Sequence, residues 1–349
     1  MPKGIILMTA LVPTKGHQNL VEFAIQYMAK YLHSELYIII SHRDNEPVSG
    51  WDRISAFREQ FQYQRVGHKV VAVSHYDNDA PQNPTGPDDK PFWDYWVRTI
   101  EIITGTVWDE DILFASEKYG IDMAAALPCK FVPFDPYREV SNARGTDVRQ
   151  GLPYTMDQVM PAFQKNLIKR ITIFGSESTG KTTLAKALAK RDDGHFLMEW
   201  ARPYLETVGA ELNAEKMATI FDGQAALQDM AKSLLDKRHI FQDTDLFSTI
   251  GYYRIFSLPV THDMKCRALA KKSDLYVLTQ SNIPFEEDPL RYGGDKRESD
   301  DQFWINILEE YGLNYIVLES SAKEARISET LHALRNQFSF SDIKNFKRE

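Results

Sequence analysis

Short apolar runs punctuate this chain at regular intervals, each followed by a stretch in which apolar residues recur at helical spacing. In the first half the runs are GIILMTAL, LYIIIS, KVVAVSH, ILFASE and KFVPFD; in the second they are ITIFG, HFLMEWA, HIFQDT, LYVLTQ and YIVLES. Unbroken apolar runs predict strands buried on both faces, and their alternation with helices predicts parallel sheets covered by helices. The rhythm pauses once, in GLPYTMDQVMPAFQKNLIKR, where Pro153 and Pro161 precede a new strand at Ile171. We place the join near Pro161, giving two α/β domains over residues 1–160 and 161–349.

Composition narrows the function classes. The 349 residues are 43% hydrophobic, 26% charged and 12% aromatic, as in ordinary globular domains. A net charge of -8 argues against broad nucleic-acid binding, which depends on basic residues displacing counterions. Cys129 and Cys266 lack any metal-ligand or disulfide spacing, so a reducing compartment is the simplest reading. The opening MPKGIILMTALVP is apolar enough to be weighed as a signal peptide, but Pro13, Lys15 and His17 follow at once and no cleavage site stands out. No apolar run elsewhere is long enough to cross a bilayer, and a cytoplasmic protein is expected. Association of identical copies is compatible with the sequence but not specified by it.

The second half opens with a phosphate loop. Gly175, Gly180, Lys181 and Thr182 fit G-x-x-x-x-G-K-[ST] between a strand and a helix. Glycines let backbone N–H groups curl around phosphates, the lysine adds a point charge, and the threonine hydroxyl suits Mg²⁺. ATP is therefore expected along Gly175, Ser176, Glu177, Ser178, Thr179, Gly180, Lys181, Thr182 and Thr183.

Carboxylates at the ends of the following strands, Glu199, Asp243 and Asp245, are placed to activate a hydroxyl, bind a ribose or hold metal, with Asp243 and Thr182 the expected metal side. Asp245 equally suits a helix N-cap. Arg291 and Arg297, in the charged stretch PFEEDPLRYGGDKRESDD, are expected to act together on the transferring phosphoryl group from a covering loop, the alternative being a solvated one.

In the first half, Thr14-Lys15-Gly16-His17 follows the first strand directly and begins a helix, which suits a histidine that donates to a phosphate as charge develops. By itself the tetrapeptide says little. Near the other end of this half, Gly145 and Thr146 begin a second helix that offers N–H and hydroxyl groups, with Arg149 to neutralise phosphate.

The two pieces resemble the (H/T)xGH and [ST]-x-x-x-[ST]-G-T-x-[IV]-R signatures of nucleotidyltransferases. Together with GSESTGKTT, EWARPY and DTD, nearly the whole chain resembles the NadR-type bifunctional family, a nicotinamide mononucleotide adenylyltransferase followed by a ribosylnicotinamide kinase. The resemblance implies a Rossmann-like nucleotidyltransferase sheet and then a P-loop kinase sheet. It implies ATP-dependent phosphorylation of nicotinamide riboside to the mononucleotide (NMN), then adenylyl transfer to give NAD and pyrophosphate, with Mg²⁺ in both steps.

It also implies ATP contacts at Thr14, Gly16, His17, Gly145, Thr146 and Arg149, and riboside contacts at Glu199, Arg202, Tyr204, Asp243 and Asp245. Which carboxylate takes the proton stays open, with Asp243 slightly favoured over Glu199. Trp93 and Trp96 are candidates for stacking on the nicotinamide ring, against the alternative that aromatics three apart on a helix belong to the core.

The chain departs from the family at Thr14, where a histidine is common, and at Arg144, where a small residue is usual. It also starts on its first strand where repressor members carry a DNA-binding domain, so no repressor role is expected. The competing reading keeps a nucleoside kinase and makes the first domain a non-catalytic NAD sensor.

Overall fold

The computed structural model describes residues 1–65, 67–234, 237–286 and 297–346, and of residues 64, 65, 232 and 297–300 the backbone alone. The chain divides into two compact units: Met1–Asn166 with Phe340–Glu349, and Leu167–Ser339.

Six strands form the first sheet: β1 (Lys3–Met8), β2 (Ser34–His42), β3 (Tyr63–Arg65), β4 (His68–Tyr76), β5 (Ile112–Ala115) and β6 (Lys130–Pro133). Their order is β3-β4-β2-β1-β5-β6, all neighbours parallel except β3, which pairs antiparallel with β4. The central strands are as buried as their apolar runs predict: Ile5, Ile6, Ile38, Ile39, Leu113 and Phe114 are sealed from solvent. Helices α1 (Lys15–Met28), α2 (Gly50–Phe61), α3 (Lys90–Thr104) and α4 (Tyr119–Ala126) connect and cover the strands, and α5 (Gly145–Gly151) and α6 (Pro161–Gln164) follow β6.

The second sheet, order β11-β10-β7-β9-β8, is parallel throughout and comprises β7 (Lys169–Phe174), β8 (His195–Leu197), β9 (His239–Asp243), β10 (Leu275–Thr279) and β11 (Tyr315–Leu318). Every residue of β9 and β10 is buried. Around the sheet lie α7 (Lys181–Arg191), α8 (Ala201–Val208), α9 (Ala214–Met230), α10 (Leu246–Ile255), α11 (His262–Ala270), α12 (Arg297–Glu310) and α13 (Lys323–Gln337).

The division differs in two ways from a cut at Pro161. The stretch after Pro153 stays with the first unit: Met160 N–H donates to Pro13 O, Val159 bridges Thr14, and α6 packs on α2. Val159, Met160 and Phe163 are fully buried, so this stretch is framework rather than linker. At the other end, α14 (Ser341–Asn345) returns to the first unit and packs against α5.

Candidate functional sites

In the second unit the turn after β7 is drawn tight by its own residues. Gly175 has φ +127°, and a Cβ there would lie 2.5 Å from Thr279 O, so no other residue fits without moving the neighbouring strand. Thr179 Oγ1 donates to Ser176 O at 2.8 Å and sits 2.7 Å from Thr279 Oγ1. Ser176 and Thr179 are buried by these contacts and build the turn, whereas Glu177, Ser178, Gly180, Lys181, Thr182 and Thr183 line a cavity of about 730 Å³. Lys181 Nζ donates to Ser176 O at 2.6 Å, which aims the ammonium across the mouth of the turn.

The same cavity takes in Glu199 at the end of β8 and Asp243 at the end of β9. Thr182 Oγ1 donates to Asp243 Oδ2 at 2.5 Å, while Asp243 Oδ1 is buried and unpartnered. Burial raises the Asp243 carboxyl above its ordinary range, against the pull of Lys181. Glu199 is pushed up to about 7, first by burial and then by the Asp243 charge beside it. Arg202 lines the cavity and opposes both shifts. The lining also includes apolar and aromatic side chains, Leu205, Met217, Ile220 and Tyr252 from α8, α9 and α10, and Phe256 directly after α10.

Several expected residues fall elsewhere. Asp245 turns inward: its Oδ1 caps α10 by accepting from Phe247 N and Ser248 N, and its Oδ2 accepts from Tyr276 OH at 2.7 Å. It is 1% exposed and absent from the cavity wall, so the helix-cap reading describes its placement. Tyr204 stacks on Trp200 with ring centroids 4.9 Å apart and does not line the cavity either. Arg291 lies outside the described residues, as does the side chain of Arg297, whose backbone begins α12.

Other lining residues escaped the sequence reading: Gln224, Ser248, Tyr252 and Arg326. Arg326 donates to Thr179 O at 2.7 Å, to Ser320 O at 2.7 Å and to Asn282 Oδ1, tying the phosphate turn to the loops after β10 and β11.

In the first unit the two motifs meet. Thr14 Oγ1 donates to Ala143 O at 3.0 Å across 129 positions of sequence, and a Cβ on Gly16 would stand 2.7 Å from the same oxygen. A Cβ on Gly145 would lie 3.3 Å from His17 Cε1, so both glycines sit where the two segments close on each other.

Thr14 N–H donates to His17 Nδ1 at 3.1 Å, completing a capping box at the start of α1. Because Nδ1 accepts, the neutral ring carries its proton on Nε2. Burial, with the Arg138 charge adding to it, lowers the His17 pKa to about 4, which keeps the ring neutral near pH 7. Gly145 begins α5 with no side-chain cap, Thr146 is exposed, and Arg149 is partly buried with its Nε unpartnered.

Thr14, Gly16, His17 and Gly145 are thus brought together. Trp93 and Trp96 are not part of this cluster: each is 5% exposed within the hydrophobic core, with indole N–H groups donating to Gly86 O and Pro81 O. Their core reading, set beside the stacking one at the outset, matches this packing.

Residues 170–326 match the family described as AAA domain. The trifunctional NAD biosynthesis/regulator protein NadR of Escherichia coli (strain K12) is 23% identical over 297 residues, which span 81% of this chain and 69% of that protein. NadR of Salmonella typhimurium (strain LT2) is 23% identical over 288 residues, 79% of this chain and 67% of that one. Crystal structures of NadR in complex with NR, and with NAD and AMP-PNP, superpose with a TM-score of 0.64 each, at 21% and 22% identity, over the whole of this chain and 97% of theirs. The chain is therefore similar to the NadR proteins over most of its length and shares their two-part α/β fold, as its motifs imply.

Proposed function

We propose that the second unit transfers the γ-phosphoryl group of ATP to the 5′-hydroxyl of nicotinamide riboside, and that the first joins the resulting mononucleotide to the AMP part of ATP, giving NAD and pyrophosphate. The observation that carries this reading is a single cavity lined at once by the phosphate loop, by Glu199 and Asp243, and by apolar side chains of α8, α9 and α10. Phosphate-binding, proton-accepting and apolar groups on one wall suit a donor nucleotide together with a ring-bearing hydroxyl acceptor.

In the kinase step the acceptor oxygen attacks the γ-phosphorus, ADP leaves and the hydroxyl proton needs a base. Glu199 suits that role better than Asp243, because its pKa near 7 is matched to the task and Asp243 is engaged by Thr182. This reverses the slight preference for Asp243 drawn from sequence alone. The Thr182 hydroxyl and the orphaned Asp243 Oδ1 are hard oxygen donors that fit Mg²⁺, which when bound neutralises charge on the phosphates. Lys181 and the N–H groups of the turn hold the phosphates in line.

In the adenylyl step a phosphate oxygen of the mononucleotide attacks the α-phosphorus and pyrophosphate departs. The His17 Nε2 proton is held ready to meet the charge that builds there, with Gly145, Thr146 and Arg149 beside or beyond it as phosphate contacts. A poised donor of this kind favours catalysis over an NAD-sensing role. One incubation with ATP, Mg²⁺ and nicotinamide riboside, sampled over time, tests the reading. Mononucleotide should appear first and NAD after it; absence of any mononucleotide overturns the kinase assignment, and mononucleotide without NAD overturns the adenylyl one.

A further inference from the structure

Asp243 is not alone among the cavity-lining residues of the second unit in holding an unsatisfied polar atom: Gln224 and Ser248 also line it, and the Gln224 amide nitrogen and the Ser248 hydroxyl are buried without a hydrogen-bond partner. Gln224 is 2% and Ser248 4% exposed. The first follows the carboxylate side of the site closely, since Gln224 Oε1 accepts from the backbone N–H of Trp200, next to Glu199, at 2.9 Å. That bond settles which way the amide faces, because turning it round would set two donors against each other, and its nitrogen is left as a pure donor.

The local packing holds this arrangement: the Trp200 indole lies on Gly223, where a Cβ would come within 2.3 Å of the ring. Ser248 stands in the first turn of α10, its own N–H capped by Asp245 at 3.2 Å, so the hydroxyl is not consumed by the cap.

Burying a donor unpaired is costly, and cores place apolar residues where nothing else is required. Two such groups on helices packed against each other, both lining the cavity that holds Glu199 and Asp243, therefore point to a ligand. We propose that Gln224 and Ser248 form the hydrogen-bonding seat of the acceptor nucleoside, donating to uncharged oxygens on it, either the ring carboxamide or a ribose hydroxyl. This rests on the reading of the second unit as a riboside kinase.

Steady-state phosphorylation by the full-length chain, with ATP, Mg²⁺ and nicotinamide riboside, tests it in Ser248→Ala, Gln224→Leu and Gln224→Glu, the last keeping an acceptor for Trp200 N–H. In each variant the KM for riboside should rise about tenfold or more while the KM for ATP holds. Thermal unfolding of the ligand-free Ser248→Ala chain should show no loss of Tm, because deleting an unpaired buried hydroxyl removes a penalty.

Analogues separate the two oxygen sources: a riboside with hydrogen in place of the carboxamide, and 2′- and 3′-deoxy ribosides. The analogue that lacks the true partner should respond no differently to the variants and to wild type. The proposal falls if Ser248→Ala and Gln224→Leu both keep the riboside KM within about twofold, if Ser248→Ala lowers Tm and leaves KM alone, or if sensitivity survives in every analogue. Failure of the wild-type chain to phosphorylate any nicotinamide-bearing nucleoside would instead remove the functional reading beneath it.

Discussion

In the second unit the phosphate cradle is one unbroken stretch, Gly175 to Thr183, bent by its own hydrogen bonds. In the first, the proposed counterpart is assembled from segments far apart in sequence, Thr14–His17 and Ala143–Gly145, brought together by a hydroxyl-to-carbonyl bond and two bare glycines. The chemistry diverges in parallel. The second site gathers carboxylates and lets burial raise Glu199 to about 7, where it can accept a proton. The first site half-buries a histidine and lowers its pKa to about 4, so that the neutral ring carries its proton on Nε2. Burial disfavours charge in both, favouring the protonated acid in one and the neutral imidazole in the other.

The largest expected effect tests the base. Glu199→Gln should lower kcat for riboside phosphorylation about 10²–10⁴-fold, measured with saturating ATP, and leave adenylyl transfer from supplied mononucleotide intact. Next come the paired losses: Lys181→Ala should cut phosphorylation about 10²–10³-fold without touching adenylyl transfer, and His17→Ala should do the reverse. A variant that silences both reactions would break the comparison.

The pH response should then separate the two halves. Phosphorylation should fall about tenfold per unit below pH about 7 as Glu199 keeps its proton, while adenylyl transfer should hold until the mononucleotide phosphate itself takes a proton near pH about 6, His17 adding no loss of its own above about 4. Stability follows opposite signs. The folded chain holds a Glu199 proton that the unfolded chain releases near 4.5, so that contribution is complete below 4.5 and is lost as pH climbs to about 7. Folded His17 refuses a proton that the unfolded chain takes near 6.5, so its contribution is lost as pH drops from 6.5 to about 4. Calorimetry of Glu199→Gln and His17→Ala across that range reads both.

The smallest effect on activity concerns Asp245. Asp245→Asn keeps one oxygen for the cap on α10 but sets an NH₂ against the buried Tyr276 hydroxyl, so it should cost about 1–3 kcal/mol by denaturant titration, with kinase activity preserved. A large loss of activity would return Asp245 to the site.

The strands were legible because parallel sheets bury both faces, and runs such as LYVLT leave no alternation to misread. Strand β3 escaped because three residues at a sheet edge carry no apolar run. The phosphate loop could be read from its own letters, whereas the meeting of His17 with Gly145 needed a resemblance to connect distant motifs. Gln224 did leave a trace: it falls on the buried face of α9 with Met217, Phe221 and Ala225, where apolar residues are expected. Arg326 likewise shares the buried face of α13 with Ile327 and Leu334. The seat of a polar residue on an apolar stripe is the signal that would have found both. Trp93 and Trp96 followed the commoner rule, in which large aromatics at helical spacing fill a core.

The return of α14 to α5 carries a practical lesson for anyone dissecting the molecule. The helix that bears Gly145, Thr146 and Arg149 is braced by Ser341–Asn345, so the first unit is not a contiguous stretch of gene. A fragment ended at Asn166 would lack that brace, and a weakened adenylyl reaction in it would report a missing buttress rather than dependence on the kinase.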